Sequence, residues 1–251
     1  MSTMPRCAVV TPYLKEDRAL LERCMRSVVA QTVKTEHFMV ADGFPQAWID
    51  DSGVRHFKLD RTYADNGTTP RAIGAILAMS ERYDAIAWLD ADNWFEPDHV
   101  ECCLDAARSA ENGICDYVIA RRNLVRPDET IIDLPDEPME QHVDTNCFFH
   151  LSGSFHLLTV WGLIPREVTG ACDRMFYAAL KSAGLIAAVT HKPTVNYHCL
   201  WESVYRAMGE SPPPGAKPAY KASAIHDWLT RLSDRELQIA RRRTRIHLVR
   251  P

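Results

Sequence analysis

The sequence predicts an α/β fold in which a mixed, mainly parallel sheet is flanked by helices. An apolar strand over 6–13 is followed by a helical stretch over 15–31 and a second strand over 37–41. A strand, a helix and a strand this close together form a βαβ unit, which requires parallel strands and a right-handed crossover. Later, the short apolar run 85–89 lacks helical periodicity and predicts a fully buried strand.

The remaining elements follow in an order that suits such a sheet. Thr68 or Thr69 is placed to cap a helix that begins near Pro70, a residue suited to a first helical turn. Further strands are predicted over 54–59, 116–120, 143–151 and 185–189, and further helices over 72–82, 96–110, 155–161 and 172–183.

Two stretches are expected to lie outside the sheet and its helices. Residues 121–140 are rich in charge and proline and predict an excursion, with a small strand at 130–132. Residues 211–218 contain four prolines and a glycine, which predicts a linker before a C-terminal helical appendage. We therefore expect a main domain over 1–205 and a linker with appendage over 206–251.

The composition limits the classes of protein to which this chain can belong. The chain has 251 residues, of which 46% are hydrophobic and 25% charged, so it can bury a substantial core. A net charge of −4 gives no reason to expect nucleic acid as a partner. No apolar run approaches about 18 residues and no signal peptide precedes the first strand, so we expect a cytoplasmic protein. The eight cysteines form no C-x-x-C pair, which favours buried thiols over disulfides or zinc ligands.

Two carboxylates, Asp90 and Asp92, come directly after the buried strand over 85–89. Ligands of open α/β sheets bind at the carboxyl ends of the strands. Like charges this close repel unless a positive group lies between them, and the simplest such group is Mg²⁺ or Mn²⁺ shared with a substrate phosphate. The alternative is a turn in which the Asp side chains accept hydrogen bonds from nearby backbone amides.

Several short motifs, in order and spacing over about 6–200, resemble the family 2 glycosyltransferases, which take a sugar from a nucleotide-sugar. The resemblance implies the GT-A fold, a Rossmann-like α/β sheet. Each motif is short, and their shared order carries the resemblance. The motifs are Thr11-Pro12-Tyr13, Asp42, Gly67 with Pro70-Arg71, Leu89-Asp90-Ala91-Asp92-Asn93, Asp144-Thr145-Asn146 and Asp173-Arg174.

The resemblance implies a donor site built from these motifs. Two residues of this site have simpler explanations. Asp42 could only form a turn, and Arg71 could lie on a solvated face of its helix. The residues assigned to the donor are Thr11, Pro12 and Tyr13 for the base and ribose, Asp42 for a uracil-like base, Arg71 near the diphosphate or base, Asp90 near the ribose, and Ala91 beside it.

Metal binding is implied in the same way. Asp92 would bind the Mn²⁺ or Mg²⁺ ion that bridges the diphosphate, and His198 is a candidate further ligand. His191 is a weaker candidate for that role. A packed, hydrogen-bonded histidine is the alternative for His198.

Asp173 matches the position of the family's catalytic base, at the start of a helix near the acceptor. The family usually has Glu-Asp there, whereas this chain has Cys172-Asp173, which removes one carboxylate and keeps the one expected to act. The alternative for Asp173 is a helix N-terminal residue stabilised by the helix dipole.

Together these roles predict an inverting glycosyltransferase that moves a sugar to a carbohydrate or lipid-linked acceptor, and the resemblance implies a UDP-linked donor. The basic C-terminal end allows peripheral membrane contact, with a solvated basic helix as the alternative. A sugar-phosphate nucleotidyltransferase is disfavoured because 11–15 lack the glycine-rich loop of that class. A non-catalytic nucleotide-sugar-binding or assembly protein is supported by Cys172 and opposed by the three intact carboxylates.

Overall fold

The computed structural model describes residues 4–134, 137–218 and 223–250. Within them, eight strands form one mixed sheet in the order β3-β2-β1-β4-β7-β6-β8-β5, with helices packed against it. This confirms the predicted GT-A-like α/β fold. The strands are β1 (Cys7–Tyr13), β2 (Thr35–Ala41), β3 (Arg55–Lys58), β4 (Ala85–Trp88), β5 (Trp94–Phe95), β6 (Tyr117–Val125), β7 (Phe148–Leu151) and β8 (Ala187–His198).

Seven α-helices and several 3₁₀ segments accompany these strands in the described residues. The longest 3₁₀ segment covers Ser152–Leu163, where an α-helix over 155–161 was expected. The α-helices are α1 (Arg18–Val29), α2 (Thr68–Ser80), α3 (His99–Arg108), α4 (Cys172–Ser182), α5 (Glu202–Ala207), α6 (Ala224–Arg231) and α7 (Asp234–Thr244).

The central strands run parallel and end at one edge of the sheet. β1 lies between β2 and β4 and pairs with both in parallel, and β3 extends the same parallel half. Strand β7 then runs antiparallel between β4 and β6. The loops that follow β1, β2 and β4 therefore meet at the carboxyl edge, where ligands of α/β proteins bind.

Helix α2 packs unusually close to β1. A Cβ atom at Gly74 would lie 2.4 Å from Val10 Cγ1, so only glycine allows this approach. The N-cap residue of the helix is Gly67, whose φ of +75° places it in the left-handed region. The expected cap by Thr68 or Thr69 is wrong, because both residues lie inside the helix. Asp65 accepts instead, from the Thr69 amide at 3.2 Å and its hydroxyl at 2.6 Å.

Strand β8 extends well past the predicted strand over 185–189 and includes 190–198, for which no element was predicted. It runs parallel to β6, which itself continues to Val125, five residues beyond its predicted end. The register shifts near Arg121, which pairs with Pro193. Proline and charged side chains break the apolar pattern there, and a sheet accepts proline only at edges or irregularities such as this one.

The predicted strand over 143–151 begins only at Phe148. Asp144 accepts a hydrogen bond from the Asn146 amide at 3.0 Å, and this local bond turns 145–147 into a 3₁₀ turn. In the charged excursion, the expected small strand is reduced to a single bridge between Ile131 and Val125. Residues 135–136 of that excursion lie outside the described residues.

The C-terminal helices pack onto the same core as the sheet. Trp228 of α6 and Leu237 of α7 belong to the buried cluster that also contains Val9 and Trp88. The boundary between 1–205 and 206–251 stays a prediction, with 219–222 and 251 outside the described residues. Across the described ranges, none of the helices has both the length and the apolar character needed to cross a bilayer.

Candidate functional site

A partly buried network at the carboxyl end of β4 is centred on Asp90, whose side chain is 29% exposed. Arg71 Nη2 donates to Asp90 Oδ1, and Asn146 Nδ2 donates to Asp90 Oδ2 at 3.0 Å. The Asp90 backbone N–H donates to Asn146 Oδ1 at 2.5 Å. Helix α2 and the 3₁₀ turn before β7 therefore fix the orientation of this carboxylate between them.

The same network continues to a second ion pair. Asn146 Nδ2 also donates to Asp144 Oδ1 at 2.6 Å, and Arg122 Nη1 lies 3.0 Å from Asp144 Oδ2. Burial raises the pKa of Asp144, and the nearby positive Arg122 partly offsets that rise. Arg122 lies on β6, in the excursion predicted from its charge, and no sequence motif pointed to it.

Arg71 is buried rather than on a solvated helix face. Only 4% of the residue is exposed. Its Nη1 donates to the Asn66 carbonyl at 3.0 Å, and its guanidinium carbon lies 4.9 Å from the ring centroid of the fully buried Trp161. Burial is the largest single effect and lowers the Arg71 pKa, but the combined attraction of Asp90, Cys172 and Asp144 and the hydrogen bond to Asp90 raise the pKa overall. Arg71 is thus a fixed positive charge beside Asp90.

Asp92 lies beside two basic residues that the sequence did not single out. Lys217 Nζ lies 3.7 Å from Asp92 Oδ2, and Arg23 Nη2 donates to the Asp92 carbonyl at 2.9 Å. The Arg23 guanidinium also lies over the Trp94 ring, at 3.8 Å from its centroid. Burial, reinforced by the negative charge of Asp90, raises the Asp92 pKa to about 6. The carboxylate would therefore gain from a further positive partner.

His198 is the last residue of β8 and lies at the same carboxyl edge of the sheet. Its backbone N–H donates to Asn93 Oδ1 at 2.8 Å, while its Nδ1 is buried and has no hydrogen-bond partner in the described part of the chain. Burial and the positive charges of Arg23 and Lys217 lower the His198 pKa. The neutral imidazole that results is the form that binds metals. His191 lies exposed on the same strand.

The candidate metal ligands suit a cation that is also bound by a phosphate group of the substrate. The described residues contain no group of three or more His, Cys, Asp or Glu side chains arranged to hold an ion. Mg²⁺, however, is usually held by one or two carboxylates together with substrate phosphates. The Asp92 carboxylate and the unpartnered His198 nitrogen fit such a shared site, and metal binding by these residues stays a prediction.

Two residues that were predicted to contact the nucleotide base have side chains that contact other protein groups. Thr11 is fully buried, and its hydroxyl lies 2.8 Å from His37 Nε2. The Tyr13 hydroxyl lies 2.6 Å from His56 Nε2 and accepts from the Gln46 amide at 3.0 Å. Direct contact of either side chain with a base stays a prediction.

Asp42 holds the loop between β3 and α2. Its carboxylate accepts from the backbone amides of Tyr63 and Ala64 at 2.7 and 2.9 Å. Next to it, a Cβ at Gly43 would lie 2.4 Å from the Thr62 backbone nitrogen. Asp42 thus positions the loop that leads to Arg71, and its predicted bond to a base is untested.

The last two assigned donor residues are both buried. The Pro12 ring packs against Gly67, where an added Cβ would lie 2.9 Å from Pro12 Cγ. Ala91 lies between Asp90 and Asp92 and packs with Tyr13 in a small apolar cluster. Their position at the carboxyl ends of β1 and β4 agrees with the sequence-based placement, while a role in donor binding stays a prediction.

Asp173 lies in the first turn of α4. Its Oδ1 accepts from the Arg174 amide at 2.7 Å, and its Oδ2 lies 2.6 Å from His142 Nε2. Burial raises the pKa of the preceding Cys172 thiol to about 12, so that position carries no negative charge at neutral pH. Sequence reasoning missed His142, which no motif includes.

Next to His142 is a cavity of about 220 Å³. It lies between β6, the middle of β8 at Pro193 and the segment over 137–147. Charged groups and apolar side chains share its wall, which suits an amphipathic ligand such as a sugar. The lining includes Arg122, Glu137, His142, Asp144, Ile119 and Met139.

Fold and site together define a GT-A-like α/β protein. No known protein-family profile matches the chain, and no curated protein matches it either. Solved structures do match, and they include S. aureus TarS, a glycosyltransferase.

The TarS 1–349 fragment in complex with UDP-GlcNAc overlaps nearly the whole of this chain. The TM-score is 0.64 at 11% identity, over 97% of this chain and 68% of that one. The same fragment with UDP gives a TM-score of 0.59 at 12% identity, over 95% and 69%. The longer TarS chain gives 0.56 at 13% identity, and this protein spans only 38% of it. At such identities the likeness shows a shared fold.

Proposed function

We propose that the protein is an inverting glycosyltransferase that moves a sugar from a UDP-linked donor to an acceptor hydroxyl, with help from a divalent cation. The observation that carries this proposal is the chain of contacts that joins Asp90 to Asp173. Asn146 Nδ2 donates to both Asp90 and Asp144, and Asp144 lines the same cavity as His142. His142 Nε2 in turn lies 2.6 Å from Asp173 Oδ2, so the carboxyl edge of β4 and the start of α4 face one cavity.

The shared fold supports the choice of donor. TarS structures contain UDP and UDP-GlcNAc, and the motifs that resemble family 2 glycosyltransferases lie at the same edge of this sheet. Asp90 and Asp92 follow β4, and ligands of α/β sheets bind at such strand ends. A carbohydrate or lipid-linked hydroxyl compound is the acceptor that we propose.

The chain supplies orientation and a base for the reaction. Arg71 and Asn146 fix Asp90, so its carboxylate is already oriented for a donor hydroxyl. Asp173 accepts the proton of the acceptor hydroxyl while that oxygen attacks the anomeric carbon from the face opposite the leaving group. A single displacement of this kind inverts the anomeric configuration.

The leaving diphosphate gains negative charge as its bond to the sugar breaks. Asp92 and His198 are the residues that would hold the divalent cation. When bound, such an ion offsets the developing charge as a Lewis acid. Arg23 and Lys217 add fixed positive charge near the same place, since both contact Asp92.

A non-catalytic nucleotide-sugar-binding protein is the second candidate. Its support is the neutral Cys172 thiol at a position where the family has a carboxylate. This candidate binds the donor but releases no UDP, and so it differs from the first in a direct assay.

Thermal unfolding with UDP-, GDP- and dTDP-linked sugars, with and without Mn²⁺, tests the donor site. We expect stabilisation only with a UDP compound and Mn²⁺ together, by ~2.7 kcal/mol at a hundredfold excess over Kd. Asp92→Asn should lose this stabilisation, while exposed Asp51→Asn should keep it. If no nucleotide stabilises the wild-type protein, the proposed donor site is wrong.

UDP release from the nucleotide-sugar then separates the two candidates. We expect Asp173→Asn to keep the ligand-induced stabilisation and to lose UDP release by about 10²-fold or more, because a positioned general base contributes that much. Donor binding without UDP release by the wild-type protein would favour the non-catalytic candidate.

A further inference from the structure

A histidine lies between two carboxylates beside the start of α4. His142 Nε2 is 2.6 Å from Asp173 Oδ2, and His142 Nδ1 is 2.8 Å from Glu137 Oε2. The His142 side chain is 12% exposed, whereas that of Glu137 is 52% exposed. The three side chains thus form a line from the proposed catalytic base to the surface.

Helix α4 holds the segment that carries His142. Arg174 Nη2 donates to Glu137 Oε2 at 2.8 Å, and its Nη1 donates to the Gln141 carbonyl at 3.2 Å. About two helical turns further on, Lys181 Nζ donates to the Glu140 carbonyl at 3.1 Å. These contacts hold the backbone that leads into the histidine, so its ring is presented to Asp173 in a defined position.

The charges around His142 favour its protonated form. A carboxylate oxygen only accepts hydrogen bonds, so Nε2 must carry a proton to bond to Asp173 Oδ2. Nδ1 lies at ion-pair distance from Glu137 Oε2 but forms no hydrogen bond within the described residues, so Glu137 acts on the ring through its charge. Burial lowers the His142 pKa, but Asp173 and, more weakly, Asp144 outweigh it, and the pKa is raised above 6.5 despite the opposing charge of Arg122. The arrangement is therefore an imidazolium between two carboxylates.

We propose that His142 is a positioning residue for Asp173, with Glu137 holding the imidazole. This inference rests on the proposed function. Oδ2 of Asp173 is occupied by the imidazolium and Oδ1 faces the amide of its own helix turn, so the carboxylate cannot rotate freely. The remaining lone pairs of Asp173 then point in a fixed direction, toward an acceptor hydroxyl. His142 thereby supplies an orienting contact that the neutral thiol of Cys172 does not provide.

Kinetics of UDP release from UDP-GlcNAc, with Mn²⁺ and with water as the acceptor, test the role of His142. We expect His142→Phe to lower kcat by about 10- to 100-fold, because a small displacement of a catalytic group has effects of this size. The KM for UDP-GlcNAc should stay unchanged, since His142 contacts the proposed catalytic base Asp173 and no residue assigned to the donor. His142→Gln keeps a side-chain N–H donor and should recover much of the lost kcat.

His156→Phe is the matched control, because His156 is exposed and its ring contacts the backbone carbonyl of Gly153 rather than a carboxylate. It should release UDP at the wild-type rate. A wild-type kcat in His142→Phe would overturn the inference, as would equal losses in His142→Phe and His142→Gln.

Nuclear magnetic resonance provides a readout that needs no activity. The His142 ring nitrogens should titrate with a midpoint above 6.5 in the wild-type protein, and that midpoint should fall in Asp173→Asn and in Glu137→Gln. A midpoint that does not move in Asp173→Asn overturns the inference, whatever the activity. If instead the proposed function itself is wrong, the wild-type protein will neither bind UDP-GlcNAc nor release UDP.

Discussion

Arg71 is a buried cation whose main partner is a single carboxylate. Removing one member of a buried ion pair leaves the other without compensation. We therefore expect Arg71→Met to lower the free energy of unfolding by about 3 kcal/mol, measured by urea denaturation. Arg26→Met is the control, because Arg26 is exposed and its contact with Glu22 spans 3.8 Å, so the loss should stay below about 0.5 kcal/mol. Equal losses would contradict the structural role of the Arg71–Asp90 pair.

The residues of the candidate site differ in how visible they are in the sequence. Asp90 and Asp92 follow a recognisable buried strand, and Asp173 opens a recognisable helix, so their placement could be predicted. Other residues reach the site from distant segments, each without a local pattern, and only the folded chain brings them together. These are Arg23 on α1, Arg122 on β6, His142 before the 3₁₀ turn, and Lys217 after α5.

The start of α2 depends on one glycine for two reasons. Gly67 has a φ of +75°, and an added Cβ would lie 2.9 Å from the rigid Pro12 ring. Gly53 has a φ of +79° but open space around it, which makes it a matched control. We expect Gly53→Ala to cost about 1 kcal/mol from backbone strain alone, and Gly67→Ala to cost about 2 kcal/mol or more because the ring contact adds to the strain.

Urea unfolding of both variants measures the difference. Gly67→Ala should also weaken any UDP-dependent stabilisation, since Arg71 follows one helical turn later. If both variants lose the same free energy, the Pro12 contact does not restrict this position.

At the scale of elements, apolar periodicity decided what could be predicted. The strands β1, β2 and β4 and the helices α1 and α2 are near their expected places because their core faces are strongly apolar. Strand β8 was predicted only in its first part, since its exposed, proline-containing middle carries no alternation. Pairing with β6, a contact between distant segments, keeps that stretch extended.

At the scale of the whole molecule, three histidines in the described part of the chain are buried in the neutral form. Burial lowers the pKa of His37, His99 and His150 to about 3 each. Each is neutral when folded but gains a proton near pH 6.5 when unfolded. The unfolded state therefore binds more protons between pH 6.5 and 3, so the stability is fully present above pH 6.5 and is lost as the pH falls toward 3.

We expect the free energy of unfolding to fall by up to about 1.4 kcal/mol per pH unit for each of these histidines. Replacing His99 by Gln should reduce this slope, measured by urea midpoints at pH 7 and pH 5. His156→Gln should leave the slope as in the wild-type protein, because His156 is exposed. An unchanged slope in His99→Gln would show that His99 is not buried as a neutral group.

The C-terminal packing has a consequence for the order in which the chain can fold during synthesis. Ile246 and Leu248 lie in the same core as Cys7 and Val9 of the first strand. The ribosome makes β1 early, and domains generally begin to fold from the N-terminus as they are made. The apolar surface that Ile246 and Leu248 cover nevertheless stays exposed until nearly all of the described chain has been translated. The nascent protein is therefore most vulnerable to self-association before this segment emerges from the ribosome.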